Sequence, residues 1–502
     1  MQNLFKISLA VIGFASIISC DDDYVSPMMT MEEQVMVGPD LITYGLTANN
    51  ELVAFNAKSP AMFTSKVTVA GLGAGEKLMS IDFRPATGEL YAVSNASKFY
   101  IINTTTAMAR TIGSVFTPTI SGSIASIDFN PTVDRIRLVT NTGQNLRLNP
   151  ETGAIASIDG SVATSSSITG VAYTNSKSGA TSTVLYDIDM TAGKLFKQDP
   201  PNNGTLVEVG SLGIKFTGQA AFDINPDNSV ALMSVTTENK NNLYKLNLET
   251  GKAVNIGTLS QKIIDLAIPT DPVGYAIDNS NALQIFNFNS PMPVTKAITG
   301  LQPGENILGI DFRPTNGQLY ALGSSSRIYT LNLGNGAATV VGSQLPTLLV
   351  GTEFGFDFNP TVDRIRVVSN TGQNLRLNPN DGTISAIDGI INPGTPMLSG
   401  AAYSDNFAGT TATSLFVVDH NTDKLYLQSP PNNGTLVERG ALGINITSDN
   451  GFDIGSTSNK AYLLSTVGTE TKIYTVNTAT GATSVLANYP NTVKGFSIGL
   501  GF

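Results

Sequence analysis

The first set of residues with the types and spacing for chemistry is a series of aspartates between apolar neighbours, as in Ile81-Asp82-Phe83. If their strands are innermost in their sheets, the carboxylates ring an axis and could bind a hard cation such as Ca²⁺. The alternative is structural, with each carboxylate accepting backbone N–H groups of its own or the next strand. We favour the structural role and expect no metal or cofactor, with Ca²⁺ as the alternative. These aspartates are Asp82, Asp128, Asp223 and Asp265 in the first half, and Asp311, Asp357 and Asp453 in the second.

The second set is a polar block that occurs once in each half of the chain. Its arginines and amides could bind sugars or carboxylates through paired hydrogen bonds. Alternatively, the arginines pair with the aspartates of the first set, or with Asp134 and Asp363. The ligand-binding candidates are Arg135, Arg137, Asn141, Gln144, Asn145 and Arg147, with Arg364, Arg366, Asn370, Gln373, Asn374 and Arg376.

Composition excludes several classes of function. With His420 as the only histidine and Cys20 as the only cysteine, a His-bearing nucleophile triad or a His-rich zinc site cannot exist in both halves. Paired carboxylates could support glycoside hydrolysis, but no spacing selects such a pair. The net charge of −10, without a lysine and arginine cluster, argues against nucleic acid as a partner.

The elements that position these residues come in two copies. Ile81-Asp82-Phe83-Arg84-Pro85 returns as Ile310-Asp311-Phe312-Arg313-Pro314. The stretch IDFNPTVDRIRLVTNTGQNLRLNP at 127–150 returns almost unchanged at 356–379. The duplication predicts two repeat modules, which we place at residues 40–270 and 271–502.

Short alternating strands separated by glycine- and proline-rich turns predict an all-β fold. The strand groups recur at a spacing of about 45 residues, the size of a four-stranded propeller blade. The first group, residues 41–71, lacks an Asp-bearing inner strand, which either residues 263–268 or residues 495–502 could supply. The first choice predicts two tandem five-bladed β-propellers, which we favour, and the second predicts one ten-bladed ring.

The IDFRP and NPTVDRIRVVSNTGQNLRLNP stretches resemble a bacterial family known as domain of unknown function 4394. The resemblance covers nearly all of the chain after its N-terminal segment, as two tandem copies. It implies export and a propeller-like fold. No catalytic residues are assigned to that family, so the resemblance carries none to this chain.

The N-terminus predicts export and lipid anchoring. Lys6 precedes an apolar run from Ile7 to Ile18, which has the length of a signal-peptide core, and Ile17-Ile18-Ser19-Cys20 resembles a bacterial lipobox. We therefore predict a signal peptide at residues 1–20, acylation of Cys20 that holds the protein to the membrane, and an acidic tether at residues 21–39. Asp21-Asp22-Asp23 favours the cell-surface side of the outer membrane, with a periplasm-facing protein as the alternative.

These observations predict a non-enzymatic cell-surface lipoprotein that presents propeller loops to a protein or glycan. The first alternative is a carbohydrate-active lyase or hydrolase that uses axial carboxylates. The second is an envelope scaffold without a small ligand.

Overall fold

The computed structural model describes residues 36–163 and 165–502, and within them the protein is all-β. Forty strands form ten four-stranded antiparallel sheets. Two short 3₁₀ helices, Pro201–Asn203 and Pro431–Asn433, are the helical segments of this part of the chain. Neither is long and apolar enough to cross a membrane.

The first five sheets use strands between Ile42 and Ala267. In chain order these strands are β1 (Ile42–Leu46), β2 (Glu51–Asn56), β3 (Phe63–Thr68), β4 (Leu78–Phe83), β5 (Leu90–Ser94), β6 (Phe99–Ile102), β7 (Ala109–Ile112), β8 (Ala125–Asn130), β9 (Arg135–Thr140), β10 (Asn145–Leu148), β11 (Ile155–Ile158), β12 (Ile168–Tyr173), β13 (Leu185–Asp189), β14 (Lys194–Gln198), β15 (Leu206–Ser211), β16 (Ala221–Ile224), β17 (Ala231–Thr237), β18 (Lys240–Leu246), β19 (Ala253–Thr258) and β20 (Asp265–Ala267).

The other five sheets use strands between Val273 and Ile498. They are β21 (Val273–Asp278), β22 (Ala282–Asn287), β23 (Ser290–Ala297), β24 (Ile307–Arg313), β25 (Gln318–Gly323), β26 (Arg327–Leu331), β27 (Ala338–Val341), β28 (Phe354–Asn359), β29 (Arg364–Ser369), β30 (Asn374–Leu377), β31 (Ile384–Ile387), β32 (Leu398–Tyr403), β33 (Leu415–Asp419), β34 (Lys424–Gln428), β35 (Leu436–Ala441), β36 (Asn450–Ile454), β37 (Ala461–Val467), β38 (Glu470–Val476), β39 (Thr483–Tyr489) and β40 (Val493–Ile498).

Eight sheets are built from four consecutive strands, and two are completed by a strand from the end of their own half. β20 pairs with β1 in the sheet β20-β1-β2-β3, with Tyr44 opposite Ala267. β40 pairs with β21 in the sheet β40-β21-β22-β23. The missing inner strand of the first group therefore comes from residues 263–268, the first of the two alternatives predicted above.

The first strands of the sheets contact one another in cyclic order. In the first half β4, β8, β12, β16 and β20 contact each other in turn, and β20 contacts β4. In the second half β24, β28, β32, β36 and β40 do the same, and β40 contacts β24. The Asp-bearing strands are thus innermost, as the aspartate pattern predicted.

The apolar cores lie between adjacent sheets. Leu46 and Leu52 of the β1 sheet pack with Phe83 and Leu90 of the β4 sheet in one cluster. A similar cluster joins the β4 and β8 sheets, where the Tyr91 and Phe129 rings meet edge to face at 5.1 Å. Each sheet therefore buries both faces against its neighbours, which explains why its inner strands are apolar on both sides.

The two halves contact each other through turns that follow the inner strands. Arg84 Nη1 donates to Gly317 O at 2.9 Å, and the Tyr275 hydroxyl donates to Ala86 O at 2.8 Å. Near the C-terminus, Gly501 N donates to Thr87 O at 2.7 Å. Direct polar contacts therefore join the halves.

Candidate functional site

The axial aspartates come together in each half of the protein. Carboxylate oxygens of Asp82, Asp128 and Asp223 lie within 4.8 Å of one another, and so do those of their counterparts Asp311, Asp357 and Asp453. All six side chains are buried. Asp265, on the last inner strand of the first half, accepts a hydrogen bond from Ser80 Oγ.

Each axial carboxylate bonds the backbone of the next inner strand. Because this contact repeats around the axis, the aspartates join neighbouring sheets, which is the structural role favoured above. The donors in the first half are Phe129 N to Asp82 (2.8 Å), Tyr173 N to Asp128 (3.1 Å), Ile268 N to Asp223 (2.6 Å) and Ile81 N to Asp265 (2.9 Å). In the second half they are Phe358 N to Asp311 (2.8 Å), Tyr403 N to Asp357 (2.9 Å) and Ile498 N to Asp453 (2.7 Å).

Burial raises the pKa of every axial aspartate, and the backbone donors oppose that effect. Desolvation raises the pKa of Asp223 to about 8 and that of Asp453 to about 7. The pKa of Asp82 lies well above its usual value, because burial is reinforced by the charge of Asp223. Three carboxylates this close favour retention of a proton at neutral pH. Ca²⁺ binding stays the alternative to the expected absence of a metal; Ca²⁺ takes six to eight oxygens, and each cluster brings three carboxylates.

The sequence patterns did not reveal a ring of glycines in the second half, on the same inner strands as Asp311, Asp357 and Asp453. One glycine comes from each inner strand, and together they line one small cavity: Gly309, Gly355, Gly400, Gly451 and Gly495. A Cβ on Gly451 would lie 2.3 Å from Phe496 Cβ on the next strand. The glycines therefore permit the close approach of neighbouring inner strands. The first half has Ser80, Ser126, Gly170, Ala221 and Asp265 at these places.

The two central arginines of the polar block are buried and bonded to protein groups. Arg137 is 1% exposed and donates to Asn145 Oδ1 (2.7 Å) and Asp159 Oδ2 (2.6 Å). It also donates to Asn202 Oδ1, in the 3₁₀ helix between β14 and β15 of the neighbouring sheet, at 2.7 Å. Arg366 repeats these contacts with Asn374, Asp388 and Asn432. Such a charge-assisted network ties adjacent sheets together.

The arginine pairing differs from the one predicted by the structural alternative. Asp134 pairs with Arg84, not with Arg137, and Asp363 pairs with Arg313. Arg137 turns instead to Asp159, which follows β11 of its own sheet. Asp134 lies in the turn between β8 and β9, and Arg84 directly follows β4 of the neighbouring sheet, so this pair also joins two sheets.

The remaining candidates of the block bind nearby loops and strands. In the first half, Arg135 donates to Asp134 O (2.8 Å), Arg147 forms a two-point pair with Asp159 (2.7 and 2.9 Å), Asn141 Oδ1 accepts Ile124 N (3.1 Å), Gln144 donates to Thr119 O (2.9 Å) and Asn145 donates to Gly160 O (2.9 Å). In the second, Arg364 donates to Asp363 O (2.8 Å), Arg376 pairs with Asp388 (2.7 and 2.9 Å), Asn370 Oδ1 accepts Thr352 N (3.1 Å), Gln373 donates to Leu348 O (2.9 Å) and Asn374 donates to Gly389 O (3.0 Å). A ligand role for these residues stays a prediction.

Gln373 shapes a loop that exposes apolar side chains. Its amide accepts Val350 N at 3.0 Å and donates to Leu348 O at 2.9 Å, holding the loop between β27 and β28. Leu348 and Val350 are each 55% exposed, and Ile390, which packs beside Gly372, is 68% exposed. We call Leu348, Val350 and Ile390 the apolar patch.

The three matching positions in the first half are polar, and the apolar side chain that the same loop exposes there is Val115 (45%). Gln144 holds the corresponding loop through Ser121 N and Thr119 O at nearly identical distances, 3.0 and 2.9 Å. The counterparts of the apolar patch are Thr119, Ser121 and Ser161, and all three are exposed. The frame is therefore shared between the halves, and the exposed side chains differ.

Charged groups surround the start of β28 beside this loop. Burial raises the pKa of Glu353, and the nearby charge of Asp449 raises it further, whereas His420 and Lys494 act in the opposite direction. The counterparts in the first half are Ile124, Gln219, Met190 and Ile264, which carry no charge. The second half thus has charged side chains around Glu353 where the first half has uncharged ones.

The predictions for the N-terminus fall outside the described residues. The signal peptide at 1–20, the lipidation site Cys20 and most of the tether at 21–39 precede Met36.

Comparisons with known proteins agree with the two-copy organisation. A family model described as Domain of unknown function (DUF4394) matches residues 51–267 and 282–497. None of the curated proteins compared with the chain matches it in sequence. Among solved structures, one similar chain belongs to PorZ, described as an essential bacterial surface component of the type-IX secretion system of Porphyromonas gingivalis. The identity is 13% and the TM-score 0.25, and the alignment covers 90% of this chain but only 60% of that one.

Proposed function

This chain belongs to the DUF4394 family, which has no assigned activity, and from that premise we propose that it is a non-enzymatic binding module that holds a protein partner on the loops of its second half. We propose further that each cyclic set of five sheets is a closed five-bladed β-propeller. The contacts of β20 with β4 and of β40 with β24 support two such rings over one ten-bladed ring.

The apolar patch is the observation that carries the binding proposal. Both halves hold the loop with the same glutamine contacts, so the frame does not require apolar side chains. Exposed apolar side chains grouped on neighbouring loops are typical of protein interaction sites. Polar side chains at the three matching positions of the first half favour a partner that binds the second half.

A protein partner fits this surface better than a glycan. Leucine, valine and isoleucine side chains offer no hydrogen bonds to sugar hydroxyls, and the described residues contain no tryptophan for ring stacking. Buried axial carboxylates also favour binding over glycoside hydrolysis. Asp82 and Asp311 are 3% and 1% exposed and accept backbone donors, so a sugar would have to displace those contacts.

The proposed location is the cell envelope. Acylation of Cys20 would hold the protein to the outer membrane, and the acidic Asp21-Asp22-Asp23 run favours the outer surface. An envelope scaffold would use the same anchor, but it gives no reason for the contrast between the two loops.

Photo-crosslinking tests the proposal with a control built into the chain. A photoreactive amino acid at position 350 of the full-length protein, in the cells that produce it, should give a discrete protein adduct. The same group at position 121, its counterpart in the first half, should give none. Mass spectrometry of the adduct would identify the partner.

A second variant shows whether the patch itself binds. Changing Leu348→Thr, Val350→Ser and Ile390→Ser copies the first half. Because position 350 is now changed, the photoreactive group is placed at position 352 in the same loop, with and without the three changes. The changes should lower the adduct yield about tenfold, since a few central apolar residues dominate most interfaces. Because these side chains are exposed, the free energy of unfolding should change by only about 0.5 kcal/mol. Equal adducts from 350 and 121, adducts to lipid or glycan alone, or no adduct would each contradict the proposal.

A further inference from the structure

The inner strands of the second half all begin at one end of the axis, which we call the axial mouth. An axial aspartate accepts the N–H one residue past the matching position of the next strand, as in Phe358 N to Asp311. Because the same offset recurs in the bonds to Asp357 and Asp453, these strands run in the same direction. Glu353 directly precedes β28 and Asp449 directly precedes β36, so both residues lie at the axial mouth.

Glu353 and Asp449 lie on the faces of their strands that lead to the axial carboxylates. Side chains alternate between the two faces of a strand, so Glu353 shares a face with Asp357, and Asp449 shares a face with Asp453. The carboxylates of Asp357 and Asp453 lie within 4.8 Å of each other. The axial mouth therefore brings two further carboxylates near each other, and the charge of Asp449 does act on Glu353.

The first half closes the matching place with a hydrogen-bond donor of its own. Gln219, the counterpart of Asp449, donates from Nε2 to Met79 O at 2.9 Å and approaches Ala125 O at 3.5 Å. Met79 and Ala125 belong to β4 and β8, which lie across the axis from β16. Met79 lies at a bulge of β4 and has no opposite residue on β5, so the glutamine amide supplies a donor that the sheet does not.

The second half keeps the acceptor and lacks the donor. Leu308 lies at the same bulge of β24, without an opposite residue on β25. Asp449 replaces the glutamine, and an ionised carboxylate accepts hydrogen bonds but cannot donate them. Glu353 adds a second carboxylate where the first half has Ile124. Leu308, Glu353 and Asp449 are all partly exposed, so the axial mouth is open to solvent.

The positive groups nearby leave these two carboxylates only partly compensated. Among residues 36–163 and 165–502, neither Glu353 nor Asp449 takes part in an ion pair. Lys494 is exposed and directly precedes Gly495, so its side chain starts from the opposite face of β40 to that of the axial glycine. Burial and Asp449 raise the pKa of Glu353, and Lys494 and His420 offset only part of that effect.

We infer that the axial mouth of the second half binds the ammonium group of a lysine side chain. Its three N–H donors match Asp449, Glu353 and the bulge carbonyl of Leu308, and hydrogen bonds between charged groups are the strong ones. Val350 of the apolar patch precedes Glu353 by three residues, a span of at most about 11 Å. The lysine belongs to the protein partner that covers the patch, an assignment that rests on the proposed function.

Two probes of equal charge test the site on the full-length protein. Nα-Acetyl-lysine N-methylamide carries the ammonium donors, and its Nε-trimethyl analogue has the same charge without them. Ligand-observed NMR titration should show saturable binding of the first probe, about tenfold tighter than the second. Asp449→Gln copies the first half and places a donor in the mouth, so it should weaken the first probe about tenfold.

Glu249→Gln, which removes an exposed carboxylate in the turn between β18 and β19, is the control for net charge and should change neither affinity. The unfolding midpoint separates loss of binding from loss of fold, and Glu353→Gln decides the result if Asp449→Gln is unstable. Equal affinity for the two probes, or absence of saturable binding, would overturn the inference. A photo-adduct from position 350 would still support the proposed function in that case.

The adduct from position 352 tests whether the lysine belongs to the partner. Asp449→Gln should lower its yield about fivefold, because the variant removes one partner of a charged pair at the interface. An unchanged yield would overturn the assignment to the partner. Binding of the lysine probe by a chain that gives no adduct would overturn that assignment too, and would leave the axial mouth as a site for a free amine.

Discussion

Replacing Asp187 with valine should raise the free energy of unfolding by about 4 kcal/mol at pH 7. Asp187 lies on β13 opposite Val171, is 0% exposed, and neither of its carboxylate oxygens has a partner among the described residues. Its counterpart in the second half is Val417, which is buried in an apolar cluster. The valine would remove the cost of an unpaired buried polar group and fill the same place.

The stabilisation should grow with pH. Burial raises the pKa of Asp187 to about 8 in the folded protein, whereas the unfolded chain ionises it near 3.9. Between these values the folded state holds a proton that the unfolded state has lost, so native stability falls as pH rises and is lowest above pH 8. Chemical denaturation from pH 4 to pH 8 should show the variant's advantage increasing by up to about 1.4 kcal/mol per pH unit.

The reverse change at the matched position is the control for Asp187. Val417→Asp should destabilise the protein and give it a steeper loss of stability between pH 4 and pH 8. A valine at 187 that leaves stability and its pH dependence unchanged would mean that the carboxylate is paired or hydrated in solution.

Replacing Gly451 with alanine should lower the free energy of unfolding by about 3 kcal/mol. The new Cβ would lie 2.3 Å from Phe496 Cβ and 2.5 Å from Phe496 N, and a backbone atom cannot rotate away. The inner strand β40 would have to move outward, which loosens the contacts among the five inner strands. Urea denaturation measures the loss.

Ala221 is the matched control for Gly451, because it holds the same place in the first half and its methyl group is accommodated there. Ala221→Gly should cost only about 1 kcal/mol, through greater freedom of the unfolded chain. Similar losses for the two variants would show that the glycine ring reflects backbone preference, not close approach of the strands.

Much of the strand organisation could be predicted from sequence, because it follows from the repeat. The absence of an Asp-bearing strand before Gly71 left residues 263–268 and 495–502 as candidates, and β20 of the first candidate pairs with β1. The aspartates were expected to bond neighbouring strands, and Phe129 N to Asp82 is such a contact. The spacing of the strand groups and the position of each aspartate within its strand can both be read from the sequence.

Features that depend on neighbouring sheets were harder to predict. Asp187 has the appearance of an alternating polar residue, but β13 is buried on both faces, so alternation no longer marks the solvent side. The glycine at 451 follows from the distance to Phe496 on another strand. The cavity that Tyr44 of the first half and Phe407 of the second both line depends on how the two halves pack together, which no local sequence pattern encodes.

Disulfide trapping tests the two-ring arrangement most directly. In a chain with Cys20→Ser, cysteines at Tyr44 and Ala267 face each other across β1 and β20, at a separation that suits a disulfide. Two separate five-bladed rings predict that Tyr44→Cys with Ala267→Cys oxidises readily, with peptide mapping as the readout, and that Tyr44→Cys with Ser497→Cys does not. Bridging of positions 44 and 497 in preference to 44 and 267 would mean one continuous ten-sheet ring, and would contradict the account.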